Sequence, residues 1–81
     1  MHVSVRLFAR LRDLAGTPEM QVEIPEGSQA QTLWERIARE YPALESYTGS
    51  VSCAVNEEDA KLSTRLKNGD EIAFLPPVSG G

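Results

Sequence analysis

Hydrophobic and polar positions alternate strictly from Met1 to Ala9: Val3, Val5, Leu7 and Ala9 fall on one side, His2, Ser4, Arg6 and Phe8 on the other. A two-residue period sends successive side chains to opposite faces, so this stretch predicts a strand with one buried face. Phe8 breaks the pattern. An aromatic on the wetter face either packs beneath a loop or belongs to a binding patch. Arg10 to Ala15 carries Leu11 and Leu14 at helical spacing, and Gly16 is placed to end that turn. Alternation resumes from Glu19 to Ile24, with Met20, Val22 and Ile24 on one side, and stops at the turn signal Pro25-Glu26-Gly27. The two strands and their connection predict a hairpin.

The period then lengthens. Ala30, Leu33, Trp34, Ile37, Ala38 and Tyr41 recur at helical spacing, with Ser28 and Gln31 in the S-x-x-Q form of a capping box and Pro42 as the stop. Glu35 and Arg39 stand at i,i+4 on the opposite, polar face. The Trp34 and Tyr41 stripe is expected in the core. After a polar segment from Glu45 to Ser50, Val51, Cys53 and Val55 share one face of a third strand. Asn56 to Asp59 reads as a turn, with a brief extended piece near Ala60 to Leu62. Leu66 is expected in the core before Lys67-Asn68-Gly69-Asp70 turns the chain, Asn68-Gly69 favouring positive φ. A last strand holds Ile72 and Phe74.

These elements predict an α+β fold: a mixed sheet of four to five strands with one main helix packed on one face. To bury Ile72 and Phe74 the last strand must return beside an earlier one, and a return after a helical crossover runs parallel to the first strand. That is the ubiquitin-like β-grasp arrangement, assigned to residues 1–75, with residues 76–81 as an extended tail.

Composition narrows what such a domain does. Eighty-one residues form a core too small to enclose a deep catalytic cavity, so chemistry is expected on a partner. A net charge of −4 disfavours nucleic acid, whose binding draws on clustered Lys and Arg, and fits protein partners better. Cys53 is the single cysteine and cannot form an internal disulfide. With no charged-then-apolar leader and no long apolar run, no membrane association is expected, and the expected compartment is the cytoplasm.

The tail has a graded design. Pro76 and Pro77 fix φ and favour an extended chain that projects from the body, through Val78 and Ser79, with a reach on the order of 20 Å to Gly81 at about 3.3 Å per residue. Gly80 and Gly81 lack a Cβ, so they fit a channel too narrow for side chains. What such a channel receives is the carboxylate of Gly81. Taken alone, a Gly-Gly ending is equally an unstructured tail.

Three stretches shift that balance: Leu7-Phe8-Ala9-Arg10-Leu11-Arg12-Asp13-Leu14-Ala15-Gly16, then Ala54-Val55-Asn56, then Leu66-Lys67-Asn68-Gly69-Asp70-Glu71-Ile72-Ala73-Phe74-Leu75-Pro76-Pro77-Val78-Ser79-Gly80-Gly81. In these the whole chain resembles the small subunits of molybdopterin synthase, a family of ubiquitin-like sulfur carriers. The resemblance implies a carrier with no catalytic site of its own. An ATP-dependent E1-like activating enzyme adenylates the Gly81 carboxylate, a sulfur donor protein converts it to a thiocarboxylate, and the large synthase subunit passes the sulfur to a cyclic pyranopterin monophosphate, forming molybdopterin. It also implies a heterotetramer with two large subunits at its centre, no bound cofactor, and ATP consumed only by the activating enzyme. By position, Gly80 gives clearance, Pro76 to Ser79 give reach, and Phe8, Ala73 and Leu75 are candidates for a dock on the uncovered sheet face. Sulfur carriage for thiamin or tRNA thiolation, and protein modification through isopeptide bonds, would use the same activated glycine.

Other chemistry finds little support. His2 is the only histidine, so a hydrolytic triad or a His-rich metal site is not expected. Cys53, between Val51 and Val55, reads as a small core side chain rather than a persulfide carrier. Glu57-Glu58-Asp59 lacks the spaced ligands and glycine of a calcium loop, and there is no Gly-rich phosphate loop.

Overall fold

The computed structural model describes residues 1–77. Strand β1 (His2–Leu7) lies between β2 (Glu19–Glu23), which it pairs antiparallel, and β5 (Glu71–Leu75), which it pairs in parallel. On the far side of β5 come β3 (Ser52–Val55) and β4 (Glu58–Ala60), both antiparallel to their neighbours. The sheet therefore has five strands in the order β2-β1-β5-β3-β4. The last strand occupies its centre, as burial of Ile72 and Phe74 requires.

Helix α2 (Ala30–Glu40) covers one face. Its apolar stripe, Ala30, Leu33, Trp34, Ile37 and Ala38, is fully buried with Val3, Val5, Leu7, Ile72 and Phe74 from the sheet. The Trp34 and Phe74 rings meet at 5.2 Å between centroids, tilted by 59°, a favoured aromatic geometry. The Trp34 indole N–H donates to Thr48 Oγ1 at 2.9 Å, so the largest core side chain buries its ring without orphaning its donor. Among the described residues no polar or charged side chain is buried.

Four local expectations are corrected. Ser28 does not cap α2: its hydroxyl donates to the Pro25 carbonyl at 2.6 Å and closes the preceding turn. The free N–H groups of the helix end are met by a distant segment, Ala30 donating to the Thr64 carbonyl at 2.9 Å and Gln31 to that of Leu62 at 2.8 Å. Such long-range capping leaves no mark in local sequence. Ala9 is not a buried strand residue; it is exposed, at φ 51°, and opens the short helix α1 (Ala9–Ala15). Alternation cannot register that a strand stops where a helix starts. The turn after β3 is only Asn56-Glu57, with Val55 and Glu58 paired across it, so the extended piece lies two residues earlier than expected. Both turn residues have positive φ, 51° and 71°, the type I′ geometry that matches strand twist. In the turn before β5 only Gly69, at φ 89°, has positive φ, not Asn68.

Candidate functional site

β5 exposes alternate residues, so Glu71, Ala73 and Leu75 face away from the helix while Ile72 and Phe74 are sealed beneath. Leu7 pairs with Phe74 in the parallel ladder, and the residues that follow each of them are Phe8 and Leu75. These two are the exposed large hydrophobic side chains among the described residues, at 37% and 38% exposure. Ala73, half-buried, pairs with Arg6 on one side and Ala54 on the other. The outer face is thus small and apolar toward the end of β5. Toward the other end it turns polar, with His2 Nε2 3.1 Å from Glu23 Oε1 and the Gln21 side-chain amide donating to Ser4 Oγ at 2.9 Å.

Phe8 is held from two directions. Its carbonyl accepts from the Leu11 N–H at 3.1 Å, and Leu11 is anchored in the core. Its ring lies under the Arg6 guanidinium, 5.4 Å from carbon to centroid. Arg6 was not among the site residues read from the sequence; the usable signal was its i,i+2 spacing to Phe8, which puts both on one face of a strand. From Leu75 the chain passes to half-buried Pro76 and exposed Pro77. Val78 and Ser79, expected to give reach, Gly80, expected to give clearance, and Gly81, to which the resemblance assigns the chemistry, lie outside the described residues.

The remaining reactive groups are unremarkable. Cys53 is buried, its thiol 3.5 Å from the Ala60 carbonyl, and loss of solvation pushes its pKa up, which disfavours the nucleophilic thiolate. No cluster of three metal-ligating side chains occurs among the described residues, and no helix there is long and apolar enough to cross a membrane. An open polar depression lined by Glu35, Arg39, Glu45 and Thr48 lies on the helix side, across the sheet from the outer face. Among the described residues, the exposed large apolar side chains and this depression thus lie on opposite sides of the sheet.

Residues 5–81 match the model of the ThiS family. The chain belongs to that family. Among relatives, the molybdopterin synthase sulfur carrier subunit of Arabidopsis thaliana is 37% identical over 81 residues, spanning 100% of this chain and 84% of that one. Among solved structures, SAMP1 of Haloferax volcanii superposes with a TM-score of 0.88 at 29% identity, covering 100% of both chains. A chain from the complex of subunits 1 and 2 of the molybdopterin-converting factor of Helicobacter pylori gives 0.68 at 30% identity, again covering 100% of both. The fold of this ThiS-family chain is the ubiquitin-like β-grasp, as its element order and central parallel pair require.

Proposed function

We propose that this protein is the sulfur carrier subunit of a molybdopterin synthase, with the large synthase subunit as its partner. What supports the reading is full-length likeness to proteins of that name, joined to one geometric observation: the two exposed large apolar side chains, Phe8 and Leu75, follow the paired residues Leu7 and Phe74, at the end of the sheet where the chain leaves toward Gly81.

The chemistry asked of Gly81 is simple. A carboxylate is a poor electrophile because its charge is delocalised and its oxygen is a poor leaving group. An E1-like activating enzyme joins that oxygen to the α-phosphorus of ATP, expelling pyrophosphate, and AMP then becomes the leaving group. The outer sulfur of a donor protein's persulfide forms the C–S bond as the C–O bond to AMP breaks. A thiol reductant then cleaves the S–S bond of the acyl disulfide, leaving the sulfur on Gly81 as the thiocarboxylate and forming a disulfide with the donor's cysteine. The thiocarboxylate is a strong nucleophile toward the cyclic pyranopterin acceptor, and hydrolysis of the C–S bond left after transfer restores the carboxylate. A dithiolene holds two sulfurs, so each acceptor consumes two charged carriers, which suits a heterotetramer with one carrier on each of two large subunits. The carrier needs no bound cofactor of its own. Gly80 gives clearance, and Pro76, Pro77, Val78 and Ser79 span the distance to the partner's site. Phe8, Ala73 and Leu75 form the dock, each large anchor contributing about 1.5 to 3 kcal/mol when fully desolvated.

The test is intact-protein mass spectrometry after incubation with the activating enzyme, ATP and a sulfur donor. The expected product is heavier than the free acid by the difference between sulfur and oxygen, and it converts the pterin acceptor once the large subunit is added. Failure to form it, or formation by a chain lacking Gly80 and Gly81, would refute the proposal. A second reading, protein modification, has support in the likeness to SAMP1, a small archaeal modifier protein. It requires the same activated Gly81 and would reveal itself as higher-mass conjugates that vanish when Gly81 is deleted.

A further inference from the structure

Arg6 stands on the outer face, exposed, opposite Ala73 of β5 and Glu19 of β2. Although Glu19 is its register partner, the two form no ion pair; among the described residues the arginine or lysine ion pair present is Arg12–Asp13. The Arg6 guanidinium lies instead over the Phe8 ring, where the quadrupole attracts it and restrains its flexible stem. Stacking satisfies none of its N–H donors, and no hydrogen bond or ion pair to another described residue takes them up, so they suit a bidentate carboxylate. Immediately beyond Phe8, Ala9 takes a left-handed backbone, φ 51°, so strand passes to helix with no intervening loop, and the ring and guanidinium sit on a firmly held base.

We infer that Arg6 is a specificity-determining residue of the outer face: the surface that receives Phe8 and Leu75 carries an Asp or Glu carboxylate at the rim of its apolar socket. The inference rests on the reading of that face as the dock for the large synthase subunit. A surface that covered Phe8 without a carboxylate would desolvate Arg6 and leave it unpaired, and that cost rejects apolar sockets of otherwise suitable shape. The charge of the chain strengthens the point. At −4 overall, the protein repels an acidic surface over most orientations, so attraction at Arg6 selects the one that aligns the tail.

The experiment is calorimetric titration of the full chain against its cognate large subunit at low and high salt, with Arg6→Met, Arg6→Glu and Phe8→Ala, each checked by thermal unfolding. Arg6→Met keeps the apolar stem and removes the charge. It is expected to weaken binding about three- to tenfold at low salt, the gap narrowing as salt rises, with an unchanged unfolding midpoint. Arg6→Glu is expected to weaken it further, and exchanging the socket carboxylate for lysine to restore it. Wild-type affinity in both Arg6 variants alongside weak binding by Phe8→Ala would overturn the role of Arg6 while leaving the dock in place. Wild-type affinity in Phe8→Ala as well would overturn the dock and the inference together. A loss in Arg6→Met that is equal at both salts and accompanied by a lower midpoint would mark Arg6 as structural and overturn the inference.

Discussion

Leu7 and Phe74 stand opposite one another in the parallel ladder between β1 and β5, each with 2% or less of its surface exposed. This contact joins the two ends of the chain, closes the core over Trp34, and sets Phe8 and Leu75 at one end of the outer face. Replacing Phe74 by Ala removes the Trp34 ring contact as well as the buried area. The expected loss is about 3 to 5 kcal/mol, a large share of the stability of so small a domain. Urea unfolding of Phe74→Ala beside Leu75→Ala checks it, since Leu75→Ala is expected to stay within about 0.5 kcal/mol of the parent while weakening the large subunit's grip.

Glu57 occupies the second position of a type I′ turn at φ 71°, where glycine is favoured. Glu57→Gly is expected to raise stability by about 1 kcal/mol, seen as a rise of about 4 to 8 °C in the unfolding midpoint. An unchanged midpoint would mean that the turn is not held in this form.

At Ala9 the same physics gives opposite signs for two substitutions. Ala9→Gly relieves the left-handed strain but increases the freedom of the unfolded chain, for a net gain of about 0.5 kcal/mol. Ala9→Val adds β-branching where φ is positive and is expected to cost about 1 to 2 kcal/mol. Thermal unfolding of the pair orders them glycine, alanine, valine; any other order contradicts the backbone assigned to this residue.

Cys53 predicts a pH dependence. Burial raises its thiol pKa in the folded protein, so at alkaline pH the unfolded chain loses this proton first. The contribution is fully present below the ordinary thiol pKa and is lost as pH rises from there toward the folded value. Stability is therefore expected to fall with alkaline pH more steeply in the parent than in Cys53→Ala, and iodoacetamide is expected to label Cys53 slowly until urea is added.

Much of this arrangement was legible in the order of residues. The alternation of Val3, Val5 and Leu7, the helical recurrence from Ala30 to Ala38, and the buried pair Ile72 and Phe74 each follow from a period that local backbone geometry imposes, and a parallel return of the last strand follows from the need to bury that pair. The Gly-Gly ending alone was equally an unstructured tail, and its reading as a reactive terminus came from the resemblance carried by the stretch from Leu66 to Gly81. Tertiary structure decided the rest, because it depends on groups far apart along the chain. The carbonyls of Leu62 and Thr64 displaced Ser28 as the cap of α2. The strand-to-helix junction at Ala9 needed a left-handed residue that no period encodes. Arg6 gained its place over Phe8 only once both stood on the sheet face that α2 leaves uncovered, a pairing set by the tertiary arrangement and not by either residue's local period.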